Sequence, residues 1–317
     1  VKKVIPGIQR SPHSEVVAIG SRDLKRAQQA AENLGIPGAY GTYDELLADP
    51  NVDAIYNPLP NHLHVPLTLQ ATKAGKHVLC EKPIAITAAE AEQLRQCPKD
   101  RIVMEAFMVR FHPQWLRARE IVRSGEIGEL KTVNVVFSYF NADPNNVRNQ
   151  PDMGGGGILN MGCYPMLGAR FLFGSEPKRV VSVIERDPTF RTDRLAGALV
   201  DFGGGRHLNF TCSTQLVPYQ SVQALGTKGR VEIIIPFNAP QGEATTILID
   251  TGKALDRSSA RRETIASSDQ YAEQAEAFAL AVLEGKFLPY GIEDSIQNMR
   301  ILDAIFRSDV EGGWVSL

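Results

Sequence analysis

The residue types able to do chemistry gather in a few short clusters. Ser21-Arg22-Asp23, with Lys25 and Arg26 close behind, offers a hydroxyl and cations of the kind that hold a phosphate through charge-assisted hydrogen bonds. The stretch from Asn57 to His64 contains Pro58, Leu59, Pro60 and Asn61 and ends in a His62-x-His64 pair. That pair has no carboxylate set at metal-ligand spacing, so a metal site is not expected. Glu81-Lys82-Pro83 sets an ammonium in a turn. Later come Arg110 and His112 in FMVRFHP, the glycine run Gly154 to Gly157, and Asn160-Met161-Gly162-Cys163-Tyr164. The glycine run could be read as a phosphate cradle, but it fits better as a flexible lead-in to the helix that follows.

The elements that must position these clusters follow from periodicity. Glu15 to Ser21, Asp53 to Asn57, His77 to Cys80 and Ile102 to Ala106 are short apolar runs that read as buried strands. Helical stretches alternate with them: Asp23 to Leu34, with Asp23 as its N-cap, Tyr43 to Ala48, His64 to Ala74 and Thr87 to Gln96. Strands separated by amphipathic helices imply a parallel sheet with right-handed crossovers, and ligands of such sheets sit at the carboxyl ends of the strands. The loops that start at Ser21, Asn57 and Glu81 all follow strands, so they open onto one rim, a candidate cofactor site.

From about His112 the texture changes. A helix over Pro113 to Ser124 leads into the long β-rich run Leu130 to Phe140, and a helix running to Phe173 follows the glycine run. Alternating segments at Arg179 to Glu185, Gly197 to Phe202, Arg206 to Thr214, Gln220 to Gly226, Gly229 to Ile235 and Thr245 to Asp250 imply a largely antiparallel sheet. Helices at Gln270 to Glu284 and Ile292 to Ser308 close the chain. Trp115 and Trp314 are expected to pack.

Composition excludes several classes of function. The 317 residues carry 34 basic and 36 acidic side chains, net charge −2, with no block of one sign, which argues against a nucleic-acid surface. No apolar run reaches the ~20 residues needed to span a bilayer. The four cysteines, Cys80, Cys97, Cys163 and Cys212, form no CxxC pair and read as reduced thiols of a cytoplasmic protein. A periplasmic location stays open, because the chain begins at Val1.

The segment from Asn57 to Pro83, NPLPNHLHVPLTLQATKAGKHVLCEKP, together with EAFMVRFHPQWLRARE and GGGGILNMGCYPMLGARFLFG, resembles the glucose-fructose oxidoreductase / inositol dehydrogenase family (Gfo/Idh/MocA). Within it the chain is similar to the subgroup containing glucose-fructose oxidoreductase and dimeric dihydrodiol dehydrogenase, over essentially its whole length. The resemblance implies a Rossmann-type domain, residues 1–106, that binds a nicotinamide dinucleotide. A second, α+β domain over residues 107–317 carries a large, open, mostly antiparallel sheet for substrate binding and homo-oligomer contacts.

The resemblance assigns the catalytic pair as Lys82 and Tyr164. The chemistry agrees: an alcohol that loses hydride needs its proton taken, and an adjacent ammonium lowers the ~10 pKa of a phenol toward use. Asn160 stands where the subgroup has an aspartate and is expected beside Tyr164, orienting substrate. Arg110 is a further substrate-side candidate at the domain junction. Ser21, Arg22, Lys25, Pro58, Asn61, His64, Glu81, Lys82 and Pro83 are the cofactor candidates. With Ser21 and Arg22 where an acidic residue would hold the ribose of NAD, the cofactor expected is NADP, ahead of NAD.

No GxGxxG occurs in the sequence. The family's first strand and glycine loop would precede the segment Val1 to Gln9, which resembles the rest of the first helix. The expectation is therefore a Rossmann sheet that lacks its first strand, and an NADP-dependent oxidoreductase acting on a sugar or cyclic polyol as a homodimer or higher oligomer. The alternative is a catalytically silent relative that serves as a binding or scaffold protein.

Overall fold

The structure is a computed structural model, and it describes residues 2–317. In chain order the elements are α1 (Val4–Arg10), β1 (Ala18–Gly20), α2 (Leu24–Leu34), β2 (Gly38–Tyr40), α3 (Tyr43–Ala48), β3 (Ala54–Asn57), α4 (His64–Lys73), β4 (His77–Cys80), α5 (Ala88–Glu92) and β5 (Val103–Glu105). Then follow α6 (Pro113–Ser124), β6 (Leu130–Phe140), α7 (Cys163–Phe173), β7 (Arg179–Arg186), β8 (Asp193–Gly203), β9 (Arg206–Ser213), β10 (Gln215–Gly226), β11 (Arg230–Ile233), β12 (Thr245–Asp250), β13 (Arg261–Ile265), α8 (Gln270–Glu284), α9 (Ile292–Glu311) and β14 (Val315–Ser316).

The first strands are all parallel, but they form two sheets: β1 pairs with β2, and β3-β4-β5 stand apart. In a doubly wound sheet the first strand lies between the second and the fourth. Matched to that order, the break between β1 and β3 falls where such a strand would run. The consequence shows in burial: β1 and β2 are half-buried throughout, whereas β4 and β5 are almost wholly buried.

Helix ends here are written in local chemistry. Asp23 caps α2 by accepting from the Lys25 and Arg26 amides. Thr42 and Glu45 form a reciprocal capping box on α3, and Thr87 caps α5.

The second sheet has nine strands in the order β13-β12-β11-β10-β6-β9-β8-β7-β14. All its pairs are antiparallel except β6 with β9. Helices α6 and α7 lie against it, around Trp115. Its indole is buried, donates from Nε1 to the Pro236 carbonyl at 2.7 Å, and meets Phe171 and Phe237. Gly168 is required there, because a Cβ would come within 2.8 Å of the indole Cη2.

The last two helices return to the first 106 residues. α8 packs on α1 with Tyr271 against Gly7, and α9 lies between β7 and α5, where Asp303 accepts from the Ala88 amide. No helix of the described residues is long and apolar enough to cross a membrane.

Candidate active site

A cavity of about 1090 Å³ opens at the carboxyl ends of β3 and β4. The loop after β3 contributes Pro58, Asn61 and His64, and the turn after β4 contributes Glu81 and Lys82. The second sheet and its helices close the other side with Phe137, Tyr139, Asn160, Tyr164, Asn238 and, from α8, Tyr271.

The loop is held from within. His64 is buried; one ring nitrogen lies 2.7 Å from the Pro83 carbonyl and the other 2.7 Å from the Leu59 carbonyl. Burial pushes its pKa below the usual histidine range, so the ring is neutral and one N–H serves one of those carbonyls. The other ring nitrogen, without a proton, faces the second carbonyl oxygen without a hydrogen bond between them. Pro83 itself does not face the cavity; it acts through that carbonyl, next to the cis Lys82–Pro83 bond. Asn61 reaches across to donate to the Gly154 carbonyl at 2.8 Å. The Glu81 carboxylate accepts from the Tyr56 hydroxyl and from the Lys82 amide.

Lys82 and Tyr164 meet. The ammonium lies 4.5 Å from the centre of the phenol ring and donates to the main-chain carbonyl of Asn160 at 2.7 Å. That carbonyl is free for a local reason. Residues Ile158–Gly162 form a turn of π-helix, opened by a bond from the Cys163 amide to the Ile158 carbonyl. In that register the partner of Asn160 is residue 165, a proline without an N–H.

Tyr164 is 4% exposed, packed edge-on by Phe107 and Phe137 and tilted against Phe237. Among the described residues its hydroxyl finds only the soft sulfur of Met108 at 3.6 Å. Burial, with the nearby Cys163 and Glu81, raises its pKa well above the ordinary value. The expected lowering by Lys82 is therefore corrected: the ammonium sits over the ring face and is tied to a carbonyl, and the phenol keeps its proton. A neutral phenol at the wall of a polar cavity is a proton donor.

Asn160 lines the same cavity, and its amide donates to the Gly156 carbonyl at 2.6 Å, leaving its oxygen and second N–H for other partners. Arg110 does not join the site. It stacks 4.1 Å above the Tyr290 ring, pairs with Asp294 at 2.5 Å and lines a separate cavity of about 250 Å³ with Arg170 and Glu176. Its place after β5 in the chain is near the site, but its side chain turns toward α9. Ser21, Arg22 and Lys25 lie outside the cavity at the end of β1; Arg22 and Lys25 are exposed, and the Ser21 hydroxyl accepts from the Asp23 amide.

The glycine run is not a flexible lead-in. Gly154 has φ +77° and Gly156 φ +106°, and added Cβ atoms would strike Asn61 and Asp193 respectively. Sequence reasoning also missed Tyr139, whose buried hydroxyl has no partner among the described residues, and Tyr271. Nothing in β6 or α8 marks those two phenols before the chain is folded.

The donors fit a nicotinamide at the loop-and-turn side: a roomy slot at the strand ends, a partnerless hydroxyl opposite, and an ammonium and a phenol between them. Parallel strands feeding such a slot, with a second-domain tyrosine facing it, define a dinucleotide-binding oxidoreductase. Comparison with known proteins agrees. Residues 2–109 match the model of the GFO/IDH/MocA oxidoreductase family, NAD-binding Rossmann fold, and residues 115–232 match the family's C-terminal domain.

A D-xylose 1-dehydrogenase (NADP(+)) of Haloferax volcanii is 39% identical over 100% of this chain and 96% of its own. The crystal structure of an aldose-aldose oxidoreductase from Caulobacter crescentus, complexed with glycerol, superposes with a TM-score of 0.91 at 28% identity, covering 100% of this chain and 96% of that one. A 3-ketoreductase from Actinomadura kijaniata, solved with NADP and TDP-benzene, gives 0.89 at 29% identity, covering 97% and 93%. The chain belongs to the GFO/IDH/MocA family of NAD(P)-dependent oxidoreductases.

Proposed function

We propose that the protein interconverts a sugar or cyclic-polyol carbonyl and its alcohol with NADP, Tyr164 moving the proton and Lys82 supplying the local positive charge. The observation that carries this is the convergence of the Lys82 ammonium and the Tyr164 ring, 4.5 Å apart, at the mouths of β3 and β4. The nicotinamide, when bound, supplies or accepts the hydride. Pro58, Asn61, His64, Glu81 and Lys82 would hold it, and Ser21, Arg22 and Lys25 would meet a 2′-phosphate.

In reduction the phenol gives its proton to the oxygen that becomes negative, and a solvent proton restores it through the open cavity. Lys82, one donor spent on Asn160, keeps two for the same oxygen or a neighbouring hydroxyl. Asn160, with a carbonyl oxygen and one N–H to spare, orients a second hydroxyl. The named activities of the xylose dehydrogenase and of the aldose-aldose oxidoreductase support a polyhydroxylated substrate. We place the protein in the cytoplasm on its four buried free thiols, and as a homodimer through the open sheet.

Calorimetry with NADP and NAD, followed by a panel of aldoses, dihydrodiols and dicarbonyls, tests the reading. NADP binding and turnover of one of these substrate classes support it. The break between β1 and β3 is the observation that favours a silent binding protein, and the absence of any dinucleotide binding would decide for that alternative.

A further inference from the structure

The residue that begins β8, Asp193, takes no part in the cavity, yet it is joined to the catalytic turn by bonds the sequence reading did not foresee. Its side chain is 95% buried by exposure, 5% remaining accessible. One carboxylate oxygen accepts from the Ile158 amide at 2.5 Å, and the Gly157 amide also points to the group. Ile158 opens the π turn, so these amides are N–H groups that no earlier carbonyl of the turn can take. The carboxylate reaches them because the two preceding residues have no side chains. A Cβ on Gly156 would collide with Asp193 Oδ1, and one on Gly157 would come within 3.3 Å of Oδ2. From that anchor the turn runs directly to the site: Asn160 Nδ2 to the Gly156 carbonyl, then the Asn160 carbonyl to Lys82, then Lys82 over Tyr164.

We propose that Asp193 is a positioning residue for Lys82: its carboxylate fixes the entry of the π turn, and so the carbonyl that aims the ammonium at Tyr164. The proposal rests on the functional reading of that pair. A carboxylate suits the role because it accepts two N–H groups at once and carries the charge that a helix start favours. A protonated acid has one good acceptor fewer.

The groups facing it are the two amides, the Cys212 thiol of β9 and the Tyr139 phenol of β6, while Arg186 of β7 is the cation whose charge reaches it. Burial outweighs the amides and Arg186 and lifts its pKa to about 7. The anchor therefore changes charge within the range where the enzyme is assayed, and turnover should fall on the acid side as the second amide loses its acceptor.

The test is kcat and KM from pH 5.5 to 9 for the full chain, for Asp193→Asn and for Lys82→Ala, with the carbonyl substrate that the panel of aldoses, dihydrodiols and dicarbonyls selects. Asp193→Asn should lower kcat at least about tenfold at pH 8, the scale of a small misplacement of reacting groups, and should lack the wild-type acid limb near pH 7. KM for NADPH should stay within about twofold, since no cofactor contact changes. Wild-type kcat with an unchanged limb overturns the proposal, provided that Lys82→Ala is inactive; a fully active Lys82→Ala overturns the functional reading itself. If Asp193→Asn does not fold, the profile of Glu105→Gln decides. Glu105 is the other buried carboxyl raised to about 7, and its removal should leave the limb in place. Loss of the limb in Glu105→Gln assigns it to Glu105 and overturns the role of Asp193.

Discussion

At the scale of single residues the site is a contest between burial and charge, and burial wins at Tyr164. An ammonium 4.5 Å from a ring centre attracts the ring face by about 0.5–2 kcal/mol, but that holds the cation in place without easing loss of the phenolic proton. Tyr164→Phe removes only a long contact to the Met108 sulfur, so the fold should be unaffected. Turnover should nevertheless drop at least about a hundredfold, the usual worth of general acid-base catalysis, with NADPH affinity unchanged. Near-normal steady-state turnover would take the phenol out of the chemistry. Asn160→Asp replaces the donor to the Gly156 carbonyl by a group that repels it and is drawn to Lys82. Its expected outcome is a loss of kcat without a change in the dissociation constant for NADP, measured by calorimetry. Arg22 and Lys25 are exposed at the end of β1, where the proposed 2′-phosphate would lie, so Arg22→Ala should weaken NADP about tenfold or more and leave NAD alone, the value of one hydrogen bond to a charged group. Equal weakening of both dinucleotides would remove Arg22 from the 2′-phosphate.

At the scale of elements, what could be read from the sequence was whatever local chemistry specifies. The strands His77–Cys80 and Leu130–Phe140 and the helices Tyr43–Ala48, Pro113–Ser124 and Gln270–Glu284 have the bounds their periodicity gives, and Asp23 caps α2 as its position implies. The π turn at Ile158–Gly162 was not legible, because it depends on a proline beyond it and an aspartate 35 residues away; nor was the short strand β13, which is polar and paired only to β12. Arg110 was misplaced for the same reason: position in the chain gives the turn after β5, while the direction of the side chain is settled by Asp294 and Tyr290 on a distant segment. The Asp193 anchor also makes a stability claim. Its pKa is raised in the folded state, from an unfolded ~3.9 to about 7, so the folded protein takes up a proton between those values. Its contribution is fullest below the unfolded value and is lost as pH rises through the folded one. Relative to Asp193→Asn, wild-type stability should therefore fall by about 1.4 kcal/mol per unit between about pH 4 and 7 and level off above. Denaturant midpoints of both proteins at pH 5, 6, 7 and 8 measure this, and a constant difference would show that Asp193 stays ionised throughout.

At the scale of the whole molecule the nine-stranded sheet has helices on one face only, and its apolar side chains on the other side need an account. Phe140, Leu216, Val217 and Tyr219 are exposed together where β6 meets the start of β10, with a break in register between Gln215 and Tyr219 that pushes Leu216 and Val217 outward. Val217 is 75% exposed, and an apolar cluster of this kind is the surface that the proposed dimer through the open sheet would cover. The same strand ends border the cavity, since Phe140 and Asn141 line its rim. A second copy seated here would bury the cluster and also fix the loop that overhangs the substrate side. Val217→Asp places a charge in the middle of that contact, where it must either be desolvated or keep the copies apart. The expected result by sedimentation velocity is a dimer for the wild type and a monomer for Val217→Asp at micromolar concentration. Thermal stability of the monomer should be little changed, because the Val217 residue is 75% exposed and its tie to β6, the Ser138 hydroxyl donating to its carbonyl, is a main-chain one that the substitution keeps. Because the rim loses its support, KM for the sugar should rise more than kcat falls. A wild type that sediments as a monomer, or a variant that stays dimeric with unaltered kinetics, would show that the open face is used otherwise.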